Sequence, residues 1–153
     1  MSKFKIYAVN ILIPLAVGGL SALFAGGSDA FSGFQKAPLT PPGFIFPIVW
    51  TILYTLMGIS MALIIINGTE KEKRESVKIY TLQLILNFFW SIIFFRFKAF
   101  LLAFFWIVAL LFSIIAMIKT FYKSYPLSAY LQIPYLIWVT FATYLTLATY
   151  LIN

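Results

Sequence analysis

The positions where this chain avoids charge constrain its fold more than anything else in the sequence. Eleven Lys and Arg and four Asp and Glu are the only charged side chains among 153 residues. They cluster, so that residues 6–28, 37–69, 79–95, 99–118 and 124–153 carry none. A helix needs about 20 mostly apolar residues to cross a bilayer, with a range of roughly 17–25. Each stretch meets that length, and the shortest, 79–95, lets Lys78 and Arg96 snorkel outward. Residues 37–69 hold one span behind a Pro-rich entry. The pattern predicts an all-α membrane protein with five transmembrane helices in a single bundle. It forms one domain, residues 1–153, with helices at about 5–26, 43–67, 77–96, 99–122 and 128–152. A long connector joins helices one and two, the hydrophilic residues 68–76 read as a solvated linker, and Phe97-Lys98 reads as a tight turn.

Composition removes the competing classes. With 63% hydrophobic and 10% charged residues and a mean hydropathy of +1.00, the chain lacks the polar surface of a soluble monomer. The period-2 alternation of a membrane β-barrel is missing, and residues 11–23 and 99–117 are apolar on every face. There is no Cys for a disulfide or thiolate, and no His for imidazole ligation or neutral-pH base catalysis, so no metal site is expected. The net charge of +7 sits at helix ends, which points to lipid headgroups and not to nucleic acid. Lys3 and Lys5 ahead of an apolar run, with Ala22-Leu23-Phe24-Ala25 behind it, imitate a signal peptide. The run is longer than the ~7–15 residues of such a segment, so it reads as a retained first span. Lys3, Lys5, Lys71, Lys73, Arg74, Lys78, Lys119 and Lys123 fall on one side of the bundle, against Lys36, Arg96 and Lys98 on the other. The positive-inside rule then expects a multi-pass protein of the cell membrane with its N-terminus in the cytoplasm.

Polar and small residues inside the spans carry the functional signal. Gly18, Ala22 and Gly26 repeat every four residues, a spacing that lets helices approach closely, within the bundle or across a dimer. In helix three, Tyr80, Gln83, Asn87, Trp90 and Phe94 share one face. An Asn and a Gln at membrane depth must be hydrogen-bonded, so that face looks into the protein. Gln83 reads as interhelical glue, and Asn87 stays open between glue and ligand contact. Trp50 lies ~10 Å inside the outer end of helix two and Trp90 ~9 Å inside that of helix three, at a 1.5 Å rise per residue. Trp138 falls deeper, with the small Ala142 one turn on. Indoles converging beneath a long loop suggest a cavity for a flat hydrophobic ligand, with ordinary core packing as the alternative.

At these residues the sequence also resembles a known family. Lys36-Ala37-Pro38-Leu39-Thr40-Pro41-Pro42-Gly43, then Phe46, Val49-Trp50-Thr51, Leu53-Tyr54 and Met57-Gly58, is similar to the signature of the tryptophan-rich sensory protein and translocator protein family. That family is also known as TspO/MBR and as the peripheral-type benzodiazepine receptors. The likeness continues in Tyr80, Gln83-Leu84, Asn87, Trp90-Ser91, Phe94-Phe95, Pro134-Tyr135, Trp138-Val139, Phe141-Ala142 and Leu145. It implies five helices around a pocket closed by the first long loop, in a receptor or sensor for protoporphyrin IX or another tetrapyrrole. It further implies sterols such as cholesterol and synthetic benzodiazepine-site compounds as ligands, membrane lipid around the bundle, and a homodimer. No cofactor is implied, porphyrin being ligand or substrate. Carried over by motif, Trp50, Asn87, Trp90, Trp138 and Ala142 line the pocket, joined by Phe46, Tyr54, Gln83, Pro134 and Leu145, with Pro38, Pro41 and Pro42 shaping the lid.

The chain departs from the family pattern at Ala37, where Pro is usual, and at Gly33-Phe34, where Trp-Tyr is usual. Thr146 stands for a common Asn, and no Lys or Arg follows Tyr150, which leaves the sterol pattern incomplete. Two further functions compete with binding. One is light- and oxygen-dependent porphyrin degradation, in which Trp50 and Trp138 would be the catalytic residues because no acid–base or nucleophile set exists. The other is tetrapyrrole or sterol transport, which the uncharged spans and the odd helix count disfavour.

Overall fold

The computed structural model describes residues 2–153. Among the described residues six α-helices follow in order: α1 Lys3–Phe24, α2 Ile45–Asn67, α3 Glu70–Ser91, α4 Phe100–Ser124, α5 Pro126–Tyr130 and α6 Ile133–Ile152. The five segments Lys3–Phe24, Ile45–Asn67, Glu70–Arg96, Phe100–Ser124 and Pro126–Ile152 are each long and apolar enough to cross a membrane, and among the described residues there is no strand. The five-helix bundle expected from the charge pattern is the fold.

Local chemistry explains where the helix ends differ from the apolar pattern. Helix three starts at Glu70, within the residues expected to be linker. Thr69 accepts from the Glu72 N–H at 3.2 Å while the Glu72 carboxylate accepts from the Thr69 N–H at 3.0 Å, a capping box. Glu70 and Glu72 also complement the positive end of the helix dipole. Hydropathy sees only that these turns are polar; they are a helix standing out of the apolar layer. Helix one stops at Phe24 because Gly26 and Gly27 take φ of +123° and +59°, a left-handed exit open to glycine. The fifth span is broken into α5 and α6, since Pro134 in the first turn of α6 has no N–H to continue the ladder from Tyr130.

At the far end of α3 the helix widens into a π-turn, Ile92–Arg96, closed by Phe97 N–H to Ile92 C=O at 3.1 Å. Such turns insert a residue into the ladder and often mark functional sites. This one swings Phe94 and Phe95 toward the bundle interior beside α1.

The bundle core runs between α2, α3, α4 and α6. Met57, Ile64, Ile107, Leu110, Ile114, Met117, Phe121, Tyr135 and Val139 are fully buried there. Leu102, Phe105, Phe112, Ile137 and Leu151 face outward, as lipid permits. α1 packs mainly on α2. Pro14 removes the helical donor for the Asn10 carbonyl, and Gly58 of α2 comes up against the backbone of Asn10 and Ile11 at that point. Side chain to backbone bonds tie other pairs: Ser21 to Phe88 C=O at 2.8 Å, Trp106 Nε1 to Leu86 C=O at 2.8 Å, and Ser128 to Ser60 C=O at 2.9 Å.

Candidate functional site

Between α1, α2, the π-turn and α6 the bundle leaves a cavity of about 510 Å³. Small residues of α1 make the room. Gly18, Gly19 and Ala22, with Ala25 just past the helix end, form one wall, and a side chain at Gly18 would overlap the ring of Tyr54. Two members of the glycine–alanine repeat, Gly18 and Ala22, thus line this cavity.

The other walls are aromatic. Trp50 stacks on Tyr54 with centroids 5.4 Å apart and 27° between planes. Trp90 stacks on Phe94 at 5.3 Å, and Phe46 meets Trp138 edge-on at 5.6 Å. Ala142, Leu145, Thr146 and Thr149 complete the α6 side. The Trp90 Nε1 is buried and has no protein acceptor. A cavity of this size, mostly apolar with a few polar groups, has the character of a small-molecule site. Among the described residues no three His, Cys, Asp or Glu side chains come together, and the cavity lining carries no Asp, Glu, His, Lys or Arg.

The connector from Gly27 to Phe44 closes one end of the cavity. Phe31 packs on Phe46 at 4.7 Å and on Phe95 at 4.8 Å, and Phe34 meets Phe94 edge-on at 5.7 Å. Asn153 clasps the loop from α6: its Oδ1 accepts from the Gln35 N–H at 2.9 Å and its Nδ2 donates to the Gln35 carbonyl at 2.8 Å. The Tyr144 hydroxyl donates to the Pro38 carbonyl at 2.9 Å. Ala37 to Thr40 form a tight turn, with Thr40 N–H to Ala37 C=O at 3.2 Å and Leu39 at φ +70°. A side chain at that φ is strained by roughly 1–3 kcal/mol unless its surroundings hold it there.

Of the residues singled out from sequence, Phe46, Trp50, Tyr54, Trp90, Trp138, Ala142 and Leu145 line the cavity. Gln83, Asn87 and Pro134 do not. Asn87 and Gln83 are instead the centre of a buried chain beneath the cavity floor. The Tyr54 hydroxyl donates to Asn87 Oδ1 at 2.9 Å, Asn87 Nδ2 to the Tyr135 hydroxyl at 2.7 Å, and that hydroxyl to Gln83 Oε1 at 2.7 Å. Gln83 Nε2 ends the chain on Met57 Sδ at 3.9 Å. The amide of Asn87 is thus bonded at both ends to tyrosines of two other helices, the arrangement of interhelical glue. Pro134 is exposed in the first turn of α6 and breaks the helix instead of lining a wall. Pro38, Pro41 and Pro42 bend the lid backbone, while its inward surface comes from Phe31, Phe34, Thr40 and Gly43. Phe31 and Phe34 were missed by periodicity, which is silent in loops. Two phenylalanines in a Gly- and Ser-rich connector were the available signal.

A family model described as the TspO/MBR family matches residues 10–151. The chain belongs to the TspO/MBR family. Among its relatives is the tryptophan-rich protein TspO of Archaeoglobus fulgidus, 37% identical over all of this chain and 99% of that protein. The protein CrtK of Rhodobacter capsulatus is 29% identical over 99% of this chain and 94% of its own length. The human translocator protein is 31% identical over 74% of this chain and 68% of its own length. This TspO/MBR protein is therefore a multi-pass membrane protein, as its five apolar helices require.

Proposed function

We propose that this TspO/MBR protein is a membrane receptor that binds protoporphyrin IX or a related flat tetrapyrrole in the cavity under the α1–α2 lid. The observation that carries the reading is the cavity itself: about 510 Å³, walled by Trp50, Trp90 and Trp138 and closed by a loop pinned to α6. Indole faces stack on a flat macrocycle, and apolar burial provides most of the affinity. Sterols and benzodiazepine-site compounds fit the same apolar walls less specifically. A homodimer in the membrane, with the N-terminus cytoplasmic, completes the proposal; the distribution of basic residues supports the orientation.

One observation favours a second reading, light-driven porphyrin degradation with dioxygen as oxidant. Trp50 lies stacked on Tyr54, so an oxidised indole has a second aromatic electron donor beside it. Titration of the purified protein with protoporphyrin IX, in darkness and under light, tests both. Saturable quenching of tryptophan fluorescence in the dark is expected. Loss of the porphyrin absorption band under light that slows in Trp50→Phe and Trp138→Phe would favour degradation. No saturable binding in the dark would refute the receptor reading.

A further inference from the structure

A second polar site lies deeper in the bundle, outside the cavity. The bonds of Met57, Gln83 and Tyr135 to one another fix one layer, contributed by α2, α3 and α6. Stepping three residues away from the cavity on each chain segment leads to Ser60, Tyr80 and Gln132. Ser60 and Gln132 are fully buried and Tyr80 is 7% exposed. The Ser128 hydroxyl donates to the Ser60 carbonyl, which holds the segment leading into Gln132 against α2. Tyr80 is packed on Phe121 with centroids 6.4 Å apart.

All three side chains of this layer lack a protein partner. Ser60 Oγ, Tyr80 OH, and both Oε1 and Nε2 of Gln132 are buried with no hydrogen bond to any protein atom. Buried polar atoms in native proteins are hydrogen-bonded to protein or to ordered water, and each orphan costs about 1–3 kcal/mol. Four such atoms fall on α2, α3 and the segment leading into α6, each three residues on from the Met57–Gln83–Tyr135 bonds. Ser76, fully buried one turn below Tyr80, and Ser124, beside Gly68 at the α2–α3 turn, also lack partners. Unpartnered hydroxyls thus continue toward the end of the bundle that carries the α2–α3 turn.

We propose that the Ser60–Tyr80–Gln132 layer is a structural hydration site, holding ordered water that links α2, α3 and α6 beneath the aromatic cavity. The donor and acceptor mix selects the occupant. The layer offers hydroxyls, an amide acceptor and an amide donor, and no carboxylate. A cation would meet the Gln132 N–H and find no countercharge, whereas water both donates and accepts. Buried waters make about three hydrogen bonds, and the four atoms here are enough for that. The site extends the chain Tyr54–Asn87–Tyr135–Gln83 by one further layer, so the cavity floor rests on a polar network reaching toward the inner loops.

Water-edited solid-state NMR of the isotope-labelled protein in phosphatidylcholine bilayers tests this, with water itself as the probe. Magnetisation starting on water is expected to reach the Gln132 side-chain amide several-fold sooner than the methyl groups of the equally buried Ile114. Gln132→Leu is expected to delay its arrival at the Tyr80 ring to the Ile114 time. A Gln132 amide that fills no sooner than Ile114 in the wild-type protein overturns the proposal. If Gln132→Leu does not fold, Tyr80→Phe keeps the ring on Phe121 and substitutes for it. Later arrival at the Gln132 amide than in wild type is then expected, and unaltered arrival overturns the proposal that Tyr80 and Gln132 share one hydration site.

Discussion

Replacing Asn87 by Ala should unfasten the bundle beneath the cavity while leaving the cavity wall in place. Two hydrogen bonds disappear, the one from the Tyr54 hydroxyl at 2.9 Å and the one to the Tyr135 hydroxyl at 2.7 Å. Tyr135 keeps its donation to Gln83, so its loss is that of one interhelical bond, about 0.6 kcal/mol and at most ~1.7. Tyr54, only 7% exposed, is left with an orphaned donor, which costs a further ~1–3 kcal/mol. The expected total is about 2–4 kcal/mol. Tyr54→Phe removes the donor itself and should cost less, and the double variant should fall short of additivity by about 1 kcal/mol because the two residues share one bond. Reversible unfolding in mixed micelles by increasing dodecyl sulfate measures all three. Protoporphyrin affinity of the folded Asn87→Ala protein should change less than about tenfold, the equivalent of 1.4 kcal/mol. A variant that stays as stable as wild type yet loses the ligand would refute the reasoning and put Asn87 on the cavity wall.

Other expectations follow from the same geometry. Ala142→Phe should fill the α6 side of the cavity and weaken protoporphyrin binding in fluorescence titration, at a stability cost of roughly 1–3 kcal/mol; unchanged affinity in a folded protein would place the site elsewhere. Combining Tyr144→Phe with Asn153→Ala removes the three bonds that pin the lid and should speed ligand entry and release in stopped-flow fluorescence with little change in melting temperature. Rates equal to wild type would mean that Phe31 and Phe34 alone hold the loop. Gly58→Ala drives a Cβ into the backbone of Asn10 and Ile11 and should lower the melting temperature. Gly19→Ala meets nothing within 4 Å and should be neutral or stabilising by up to about 1 kcal/mol. Equal effects of the two would show that α1 does not rest on Gly58.

What the sequence by itself determined was the membrane, the number of spans and the large aromatic residues of the helices that wall the cavity. Burying a charge in hydrocarbon costs so much that the gaps between charges alone mark the helices. Large indoles away from the helix ends are rare enough to mark an interior, and Trp50, Trp90 and Trp138 do line one cavity. Helix one's glycines were also visible, though not their use: Gly18 makes room for Tyr54, a contact between residues 36 positions apart.

Only the tertiary structure decided what the polar residues do. Tyr80, Gln83, Asn87 and Trp90 share one face of α3 and are equivalent by periodicity. Asn87 and Gln83 are nevertheless consumed by Tyr54 and Tyr135 from two other helices, Trp90 turns to the cavity, and Tyr80 has no protein partner. Hydrogen bonding is short-ranged and directional, so its partners depend on which helices meet at which depth. The same holds for the lid, whose clasp joins Gln35 to Asn153 across nearly the whole chain. The charged start of α3 is the converse case. Its capping box was present in the letters Thr69 to Glu72, but a local hydrogen-bond motif leaves no trace in hydropathy.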